Sequence, residues 1–211
     1  HVQRPSDGKT PKRIAFIQCV GSRDQKHDYC SSVCCMYAMK EAMLAIEHEP
    51  DTEVTIFLMD MRAFSKGYLE YFQRARERYG IRFVRCRISE VKEDPHTRDL
   101  ILRYVADSRI REEAFDLVVL SVGMEVPESA RDLGRRVGVE LDDYGFCRTT
   151  PFAPLETSRA GVFALGPFRE PKDIPESVME ASGAAGLAGA LLAPARWTET
   201  QEAVYPPERD I

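Results

Sequence analysis

The chain contains 211 residues, of which 44% are hydrophobic and 30% charged, and its formal net charge is −5 at pH 7. This length suits one large domain or two small ones, and the apolar content is sufficient for a buried core. The charges are spread along the sequence, which argues against nucleic acid as a partner and against a polybasic membrane patch. No apolar run reaches about twenty residues, and residues 1–12 lack a secretory-type apolar segment, so we expect no membrane span and a cytoplasmic location.

Strand-like and helix-like patterns alternate through the first half of the sequence. In chain order, we predict a strand at 13–20, a helix at 30–48, a strand at 53–59, a helix at 66–79 and a strand at 81–91. Gly80 is placed to end the second helix. Such alternation is typical of right-handed crossovers that build a parallel sheet with helices on both faces. The first half therefore predicts an α/β, Rossmann-like fold.

The second half has shorter and less regular patterns. We predict a strand at 98–108 that pairs antiparallel with the third strand, a buried strand at 113–122, a helix at 125–139, an extended connection at 144–158, a short strand at 161–166 and a helix at 173–193. Asp173 and Glu176 have the spacing of a capping box at the start of the last helix. The chain is expected to divide into a Rossmann-like region at 10–125, a second region at 126–195 and a tail at 196–211.

The first strand is not followed by a glycine-rich phosphate loop. No Gly-x-Gly-x-x-Gly lies on either side of residues 13–20, although a dinucleotide-binding fold normally carries that motif there. Either the protein does not bind a dinucleotide by itself, or it is a piece of a longer polypeptide whose nucleotide-binding half lies upstream. We favour the second interpretation.

Four of the six cysteines, Cys19, Cys30, Cys34 and Cys35, lie within one short stretch. A helix that begins near Cys30 would place Cys30 and Cys34 on one face, with Cys35 about 100° further round. Cys19 ends the first strand, so the four sulfurs can converge at the carboxyl end of the parallel sheet. A helix N-terminus lowers thiol pKa values and stabilises an anionic group. Positive side chains follow nearby at Arg23, Lys26 and Lys40.

Three kinds of site fit four clustered cysteines. An iron–sulfur cluster is the first, a structural zinc ion the second and a dithiol/disulfide pair the third. Zinc fits less well, because vicinal Cys34 and Cys35 on one helix strain the usual arrangement of two short knuckles. The remaining cysteines, Cys86 and Cys147, are interpreted as small buried apolar residues.

At these residues the sequence resembles the A-type subunit family of heterodisulfide reductases. The resemblance rests on FIQCVGSRD at 16–24, YCSSVCCMYA at 29–38, MDMRAF at 59–64, GVFALG at 161–166 and PKDIP at 171–175. It implies a thioredoxin-reductase-like flavoprotein that binds FAD and relays electrons to partner subunits of a heterodisulfide reductase-type complex. It also implies a [4Fe–4S] cluster on Cys19, Cys30, Cys34 and Cys35, with Lys40 near the flavin.

The resemblance also implies a particular division of the chain. Residues 10–125 would be a pyridine-nucleotide-type domain whose phosphate loop is replaced by the cysteine loop, and 126–195 would complete a flavin-type domain. An N-terminal FAD-binding segment would be missing, so we expect an incomplete enzyme that binds FAD weakly or not at all and could form a homodimer through 174–193. One departure is that Pro167 follows Gly166, where such flavoproteins carry a flavin-contacting aspartate. Asp60 is given no cofactor role.

Overall fold

The computed structural model describes residues 2–196, and these divide into two compact units with a boundary between Glu125 and Val126. The elements of the first unit are β1 Arg13–Val20, α1 Cys34–His48, β2 Glu53–Leu58, α2 Tyr68–Glu77, β3 Arg82–Arg85, β4 Ile88–Glu93, β5 Leu100–Ala106, β6 Arg109–Phe115 and β7 Leu117–Val122. The second unit contains α3 Glu128–Val137, a 3₁₀ turn at Gly166–Phe168 and α4 Ile174–Arg196. The predicted tail, 196–211, lies outside the described residues except for Arg196.

The first unit is built on a parallel sheet of four strands in the order β3-β2-β1-β7. All three strand pairs are parallel, and β1 lies in the interior between β2 and β7. A central strand with neighbours on both sides has its carboxyl end next to two further strand ends, which is where ligands bind in open α/β sheets. The predicted α/β, Rossmann-like class is confirmed.

The two faces of this sheet are covered by different structures. Side chains alternate along β1, so Ile14 and Phe16 pack under α1 and α2, while Ala15 and Ile17 point to the opposite face. That opposite face is covered by an antiparallel sheet in the order β4-β5-β6, whose Tyr104 is fully buried there. The second layer is therefore a β-sheet where helices were expected on both faces.

Two of the predicted strands each divide into two. The segment 81–91 forms β3 in the parallel sheet and then β4 in the antiparallel sheet, and 113–122 divides in the same way into β6 and β7. At the second division the Asp116 carboxylate accepts the backbone N–H of Arg13 at 2.9 Å and also that of Lys12. Through these bonds, the start of β1 holds the point at which the chain passes from one sheet to the other. A local hydrophobic pattern cannot reveal such a contact between distant residues. The expected antiparallel pairing of residues 98–108 is found as β5 with β4, and β5 also pairs with β6.

The second unit has a small core of Val139, Cys147 and Ala164. The predicted strand at 161–166 is wrong, because Phe163 forms one isolated bridge with Glu156 and the chain then enters the 3₁₀ turn. The capping box is confirmed: the Glu176 N–H donates to Asp173 at 2.8 Å, and the Asp173 N–H donates back to Glu176 at 3.1 Å. Among residues 2–196, no helix combines the length and the apolar character needed to cross a bilayer.

Candidate metal centre

Three parts of the first unit supply the four clustered cysteines. Cys19 lies at the end of β1, in an irregular stretch between Ile17 and Val20. Cys34 and Cys35 form the first turn of α1 and are buried, whereas Cys30 precedes the helix by four residues and is half-buried. The prediction that Cys30 and Cys34 share a helix face is therefore wrong, because the helix begins at Cys34. Cys30 reaches the group from a loop.

The loop that joins β1 to α1, residues 19–33, is conformationally unusual. Cys19, Arg23 and Ser32 all have positive φ angles, of 61°, 56° and 63°, and Gly21 does as well. Left-handed backbone is costly for residues other than glycine, and it persists only where the surroundings hold it in place.

The cysteine loop is fastened to the end of β7. The Tyr29 hydroxyl donates to the Met124 carbonyl at 2.7 Å, and the Met124 N–H donates to the buried Ser31 hydroxyl at 3.0 Å. Gly123 lies so close that a Cβ there would be 2.6 Å from the Gly21 carbonyl oxygen. A side chain at position 123 would therefore push the loop away. These contacts bring the Cys30 end of the loop back to the sheet edge where Cys19 lies.

Three of the thiols form a chain of hydrogen bonds, from Cys19 to Cys34 to Cys35. The Cys19 thiol donates to the Cys34 sulfur and is half-buried, and both effects raise the pKa of Cys19. The bond from Cys19 lowers the pKa of Cys34, but donation to Cys35, burial and the neighbouring thiols outweigh it and raise the pKa of Cys34 to about 11. Cys35 ends this chain as an acceptor from Cys34, and its pKa is lowered. The expected lowering of thiol pKa values therefore holds at Cys35 and is wrong for Cys19 and Cys34.

Cys30 belongs to the same group. Its sulfur accepts the Ser32 N–H at 3.3 Å, and it acts electrostatically on both Cys34 and Cys35. All four cysteines are free thiols. Within residues 2–196, no set of three or more Cys, His, Asp or Glu side chains has the arrangement that holds a metal ion directly. The thiols would have to lose their protons before a metal is bound.

Positive charge and N–H groups surround the sulfurs. Arg23 acts on the Cys19 thiol and is itself bound to both carboxylate oxygens of Asp60, the second at 3.3 Å. The Arg62 side chain donates to the same carboxylate at 3.2 Å, and the Arg62 backbone N–H donates to the Cys35 sulfur. The N-terminus of α1 has no side-chain cap and no acidic residue in its first turn. The Arg23 and Arg62 groups favour negative charge on Cys19 and Cys35, but at Cys19 the bond to Cys34 and burial outweigh that effect.

The sequence pointed to the four cysteines, whose role as a metal site stays a prediction, and to Arg23, but not to the contacts of the residues that support their loop. These residues come from loops after three different strands. Tyr29 and Ser31 belong to the motif YCSSVCCMYA at 29–38 and Arg62 to MDMRAF at 59–64, whereas Gly123 lies outside the quoted motifs. Asp60 has a structural partner in Arg23. Cys86 lines a cavity that Cys19 also lines, but burial alone raises its pKa, with no contribution from the other thiols. Cys147 lies in the core of the second unit.

The family resemblance relates two parts of the chain to a flavin: Lys40 in the first unit and the turn after Gly166 in the second. Lys40 is exposed on α1, five residues beyond Cys35, or about 8 Å along the helix axis. In the second unit, the Gly166 N–H donates to the buried Glu180 carboxylate at 2.8 Å, and Lys172 and Arg169 also donate to Glu180. Glu180 therefore binds the backbone of the turn at Gly166–Phe168. This turn carries Pro167 at the position where flavoproteins of the resembled family have an aspartate.

Comparisons with known proteins give the family. The model for the pyridine nucleotide-disulphide oxidoreductase family matches residues 34–185. The second A-type iron–sulfur subunit of the CoB–CoM heterodisulfide reductase of Methanopyrus kandleri is 49% identical over 199 residues, covering 91% of this chain and 30% of the relative. The A-type iron–sulfur subunit of the same enzyme from Methanocaldococcus jannaschii is 47% identical over 192 residues, covering 88% of this chain and 29% of the relative. The chain spans about 30% of the length of these curated relatives.

Solved structures support the fold. Thioredoxin reductase from T. acidophilum superposes with a TM-score of 0.56 at 17% identity, covering 86% of this chain and 53% of that protein. The Lactococcus lactis thioredoxin reductase gives a TM-score of 0.56 at 21% identity, with 88% and 54% covered. The chain therefore belongs to the pyridine nucleotide-disulphide oxidoreductase family, and the resemblance to the A-type subunits of heterodisulfide reductases that its motifs indicated is confirmed.

Proposed function

We propose that this chain is the cluster-bearing part of an electron-transferring flavin and iron–sulfur oxidoreductase subunit. Cys19, Cys30, Cys34 and Cys35 would hold one [4Fe–4S] cluster that relays electrons between FAD and the partner subunits of a heterodisulfide reductase-type complex. The observation that carries this proposal is the single interacting group of four thiols at the carboxyl end of the parallel sheet. That position is where a Rossmann-like domain otherwise presents its phosphate loop.

The chemistry of the donors fits an anionic cluster. When bound, the cluster would supply a one-electron carrier. Around it, the Arg62 and Ser32 N–H groups already donate to the Cys35 and Cys30 sulfurs, and the Arg23 guanidinium lies beside Cys19. Each of these groups stabilises a thiolate, and thiolates are the ligands that iron requires.

The half-buried state of the site suits electron transfer. Cys34 and Cys35 are buried under the sheet edge, while Cys19 and Cys30 are only half-buried. The buried pair limits the access of water to the centre, and the half-buried pair leaves a side near the surface for a redox partner. Lys40, on the exposed side of α1, is proposed to lie against the flavin. Its positive charge would stabilise the anionic reduced flavin.

The flavin is proposed to require sequence that this chain does not contain. The curated relatives are about three times as long, and no Gly-x-Gly-x-x-Gly is present in the chain. We therefore expect the purified chain to carry no stoichiometric FAD, which absorbance of the acid-released supernatant at the flavin wavelengths measures. Stoichiometric FAD that copurifies with the chain alone would contradict this part of the proposal.

Metal content after anaerobic purification tests the cluster. We expect a brown protein that contains iron and acid-labile sulfide, with visible absorption that dithionite bleaches. A colourless protein with one zinc ion per chain would replace the proposal with a non-redox zinc domain that docks partner subunits. A metal-free protein whose free-thiol count rises with mild reductant would replace it with a dithiol/disulfide site.

A further inference from the structure

Two buried polar atoms without partners flank Cys19. The Gln18 side-chain oxygen belongs to a residue that is 7% exposed, and the Ser22 hydroxyl to one that is 1% exposed. Among the described residues, unpartnered buried side-chain atoms occur at only two further residues, Arg4 and His27. Buried polar groups nearly always have partners, so two exceptions within three positions of a proposed ligand call for an explanation.

Gln18 is directed to the helix side of the sheet. Side chains alternate along β1, and Phe16, two residues earlier, packs in the core under α1. The Gln18 side-chain N–H donates to the Ser121 hydroxyl on neighbouring β7 at 2.9 Å. Gln18 is thus near the carboxyl end of β1, one residue before Cys19, on the face of the sheet that α1 covers.

The Gln18 amide can present a donor in place of its unpartnered oxygen. A rotation of 180° about the last side-chain bond exchanges oxygen and nitrogen. The Ser121 hydroxyl can then donate to Gln18 Oε1, since a hydroxyl both donates and accepts. The buried position now held by the lone oxygen would be taken by an N–H group, and no hydrogen bond to Ser121 would be lost.

Ser22 is fixed inside the cysteine loop. Its backbone N–H donates to the Cys19 carbonyl at 3.4 Å, and its Cβ would lie 3.1 Å from a Cβ built on Gly123. The residue is thus enclosed between the turn that follows Cys19 and the end of β7. Its hydroxyl proton is free to rotate towards any acceptor that enters the loop.

We propose that Gln18 Nε2–H and Ser22 Oγ–H are hydrogen-bond donors to the sulfur atoms of the centre on Cys19, Cys30, Cys34 and Cys35. This inference rests on the proposed function, because the missing acceptor is the anionic centre itself. One-electron reduction makes that centre more negative, and donors in a water-poor site stabilise the reduced form more than the oxidised form. Gln18 and Ser22 are therefore positioning residues that raise the reduction potential.

The test is the midpoint potential of the full chain carrying its centre, measured by spectroelectrochemical titration. Gln18→Met and Ser22→Ala each remove a donor, and Ser89→Ala is the control, because the Ser89 hydroxyl bonds to Arg103 in the antiparallel sheet. We expect each of the first two variants to lower the equilibrium constant for one-electron reduction by about tenfold, or about 59 mV. The control should match the wild type.

A spectroscopic signature separates a donor from a merely structural residue. In the reduced protein, proton hyperfine couplings that disappear in D₂O should be present in the wild type and should lose one component in Ser22→Ala. Unchanged potentials and couplings in both variants would overturn the inference. Loss of the centre from both variants with native circular dichroism would also overturn it, by assigning the two side chains to loop folding. A wild type without iron would refute the proposed function, and this inference would fall with it.

Discussion

The parallel sheet and the cysteine loop at its carboxyl end are stabilised by different interactions. The sheet is held by close apolar packing, with Ile14, Phe16 and Ile56 almost completely buried under the helices. The loop is held by separate polar contacts from Tyr29 and Ser31 to Met124 and from Arg23 to Asp60. The difference implies that the sheet folds without a metal, whereas the placement of the four sulfurs depends on a few polar contacts and, on the proposed function, on the metal that they would bind.

The largest effect is expected from Cys34→Ser, which should abolish cluster binding in the loop and leave the fold of the sheet unchanged. Cys34→Ser removes one of the four proposed thiolate ligands, so we expect all cluster absorbance to be lost while the far-ultraviolet circular dichroism stays native. Cys86→Ser is the matched control, because Cys86 is a half-buried thiol of the same unit whose pKa is raised by burial alone, with no contribution from the four cysteines. Global unfolding of Cys34→Ser would show that the metal is structural and that the comparison is mistaken.

Within the sheet, we expect Phe16→Ala to lower the free energy of unfolding by about 3–5 kcal/mol, because it leaves a cavity under α1. Urea denaturation of the metal-free chain measures this value. Phe152→Ala is the control, since Phe152 is fully exposed and should change stability by less than about 0.5 kcal/mol. A cost for Phe16→Ala that appears only when metal is bound would contradict independent folding of the sheet.

At the contact between the two regions, Gly123→Ala would place a methyl group against the Gly21 carbonyl oxygen. We expect a cost of about 1–3 kcal/mol from overpacking and faster loss of the cluster under a chelator. Gly186→Ala, in α4, has no atom within 4 Å of the added carbon and should be neutral or stabilising. Equal behaviour of the two variants would show that β7 does not fasten the loop.

The smallest effect on stability is expected at the ion pair between Arg23 and Asp60. Asp60→Asn should cost no more than about 1 kcal/mol at pH 7, since the pair is partly exposed. Arg23, and then Arg62, hold the pKa of Asp60 below its usual value of 3.8, so the contribution is complete above that value and is lost as the pH falls through the folded pKa. Denaturation curves between about pH 3 and pH 7 should therefore converge at low pH for wild type and variant. A gap that persists there would contradict the charge assignment, and Asp51→Asn, at an exposed carboxylate, is the control.

The sequence predicted the fold best where the pattern is local. The bounds of β1 and the capping box of α4 were predicted correctly. Both features depend only on residues close together in the sequence, a buried apolar run in one case and two residues three positions apart in the other. The start of α1 was placed four residues early, since the left-handed backbone of Ser32 cannot be inferred from its residue type. The two strand divisions were missed because a change of sheet at Asp116 depends on its bonds to the distant Lys12 and Arg13.

The candidate site shows the same limit. Cysteine spacing singled out four thiols that interact with one another in the structure, while their role as ligands stays a prediction. Their relative order as donors and acceptors, and the contribution of the Arg62 backbone N–H, follow from loops that meet only in the folded chain. Single-sequence patterns carry no information on such contacts.

The central claim is that the four cysteines together hold one iron–sulfur cluster. The most direct measurement is the Mössbauer spectrum of the chain reconstituted with ⁵⁷Fe, accompanied by iron and sulfide analysis. We predict about four iron and four sulfide per chain, with all iron in the signal of a [4Fe–4S] cluster, and no such signal in Cys34→Ser. Iron that binds only as isolated ions, or a chain that takes up a single zinc and excludes iron, would contradict the account.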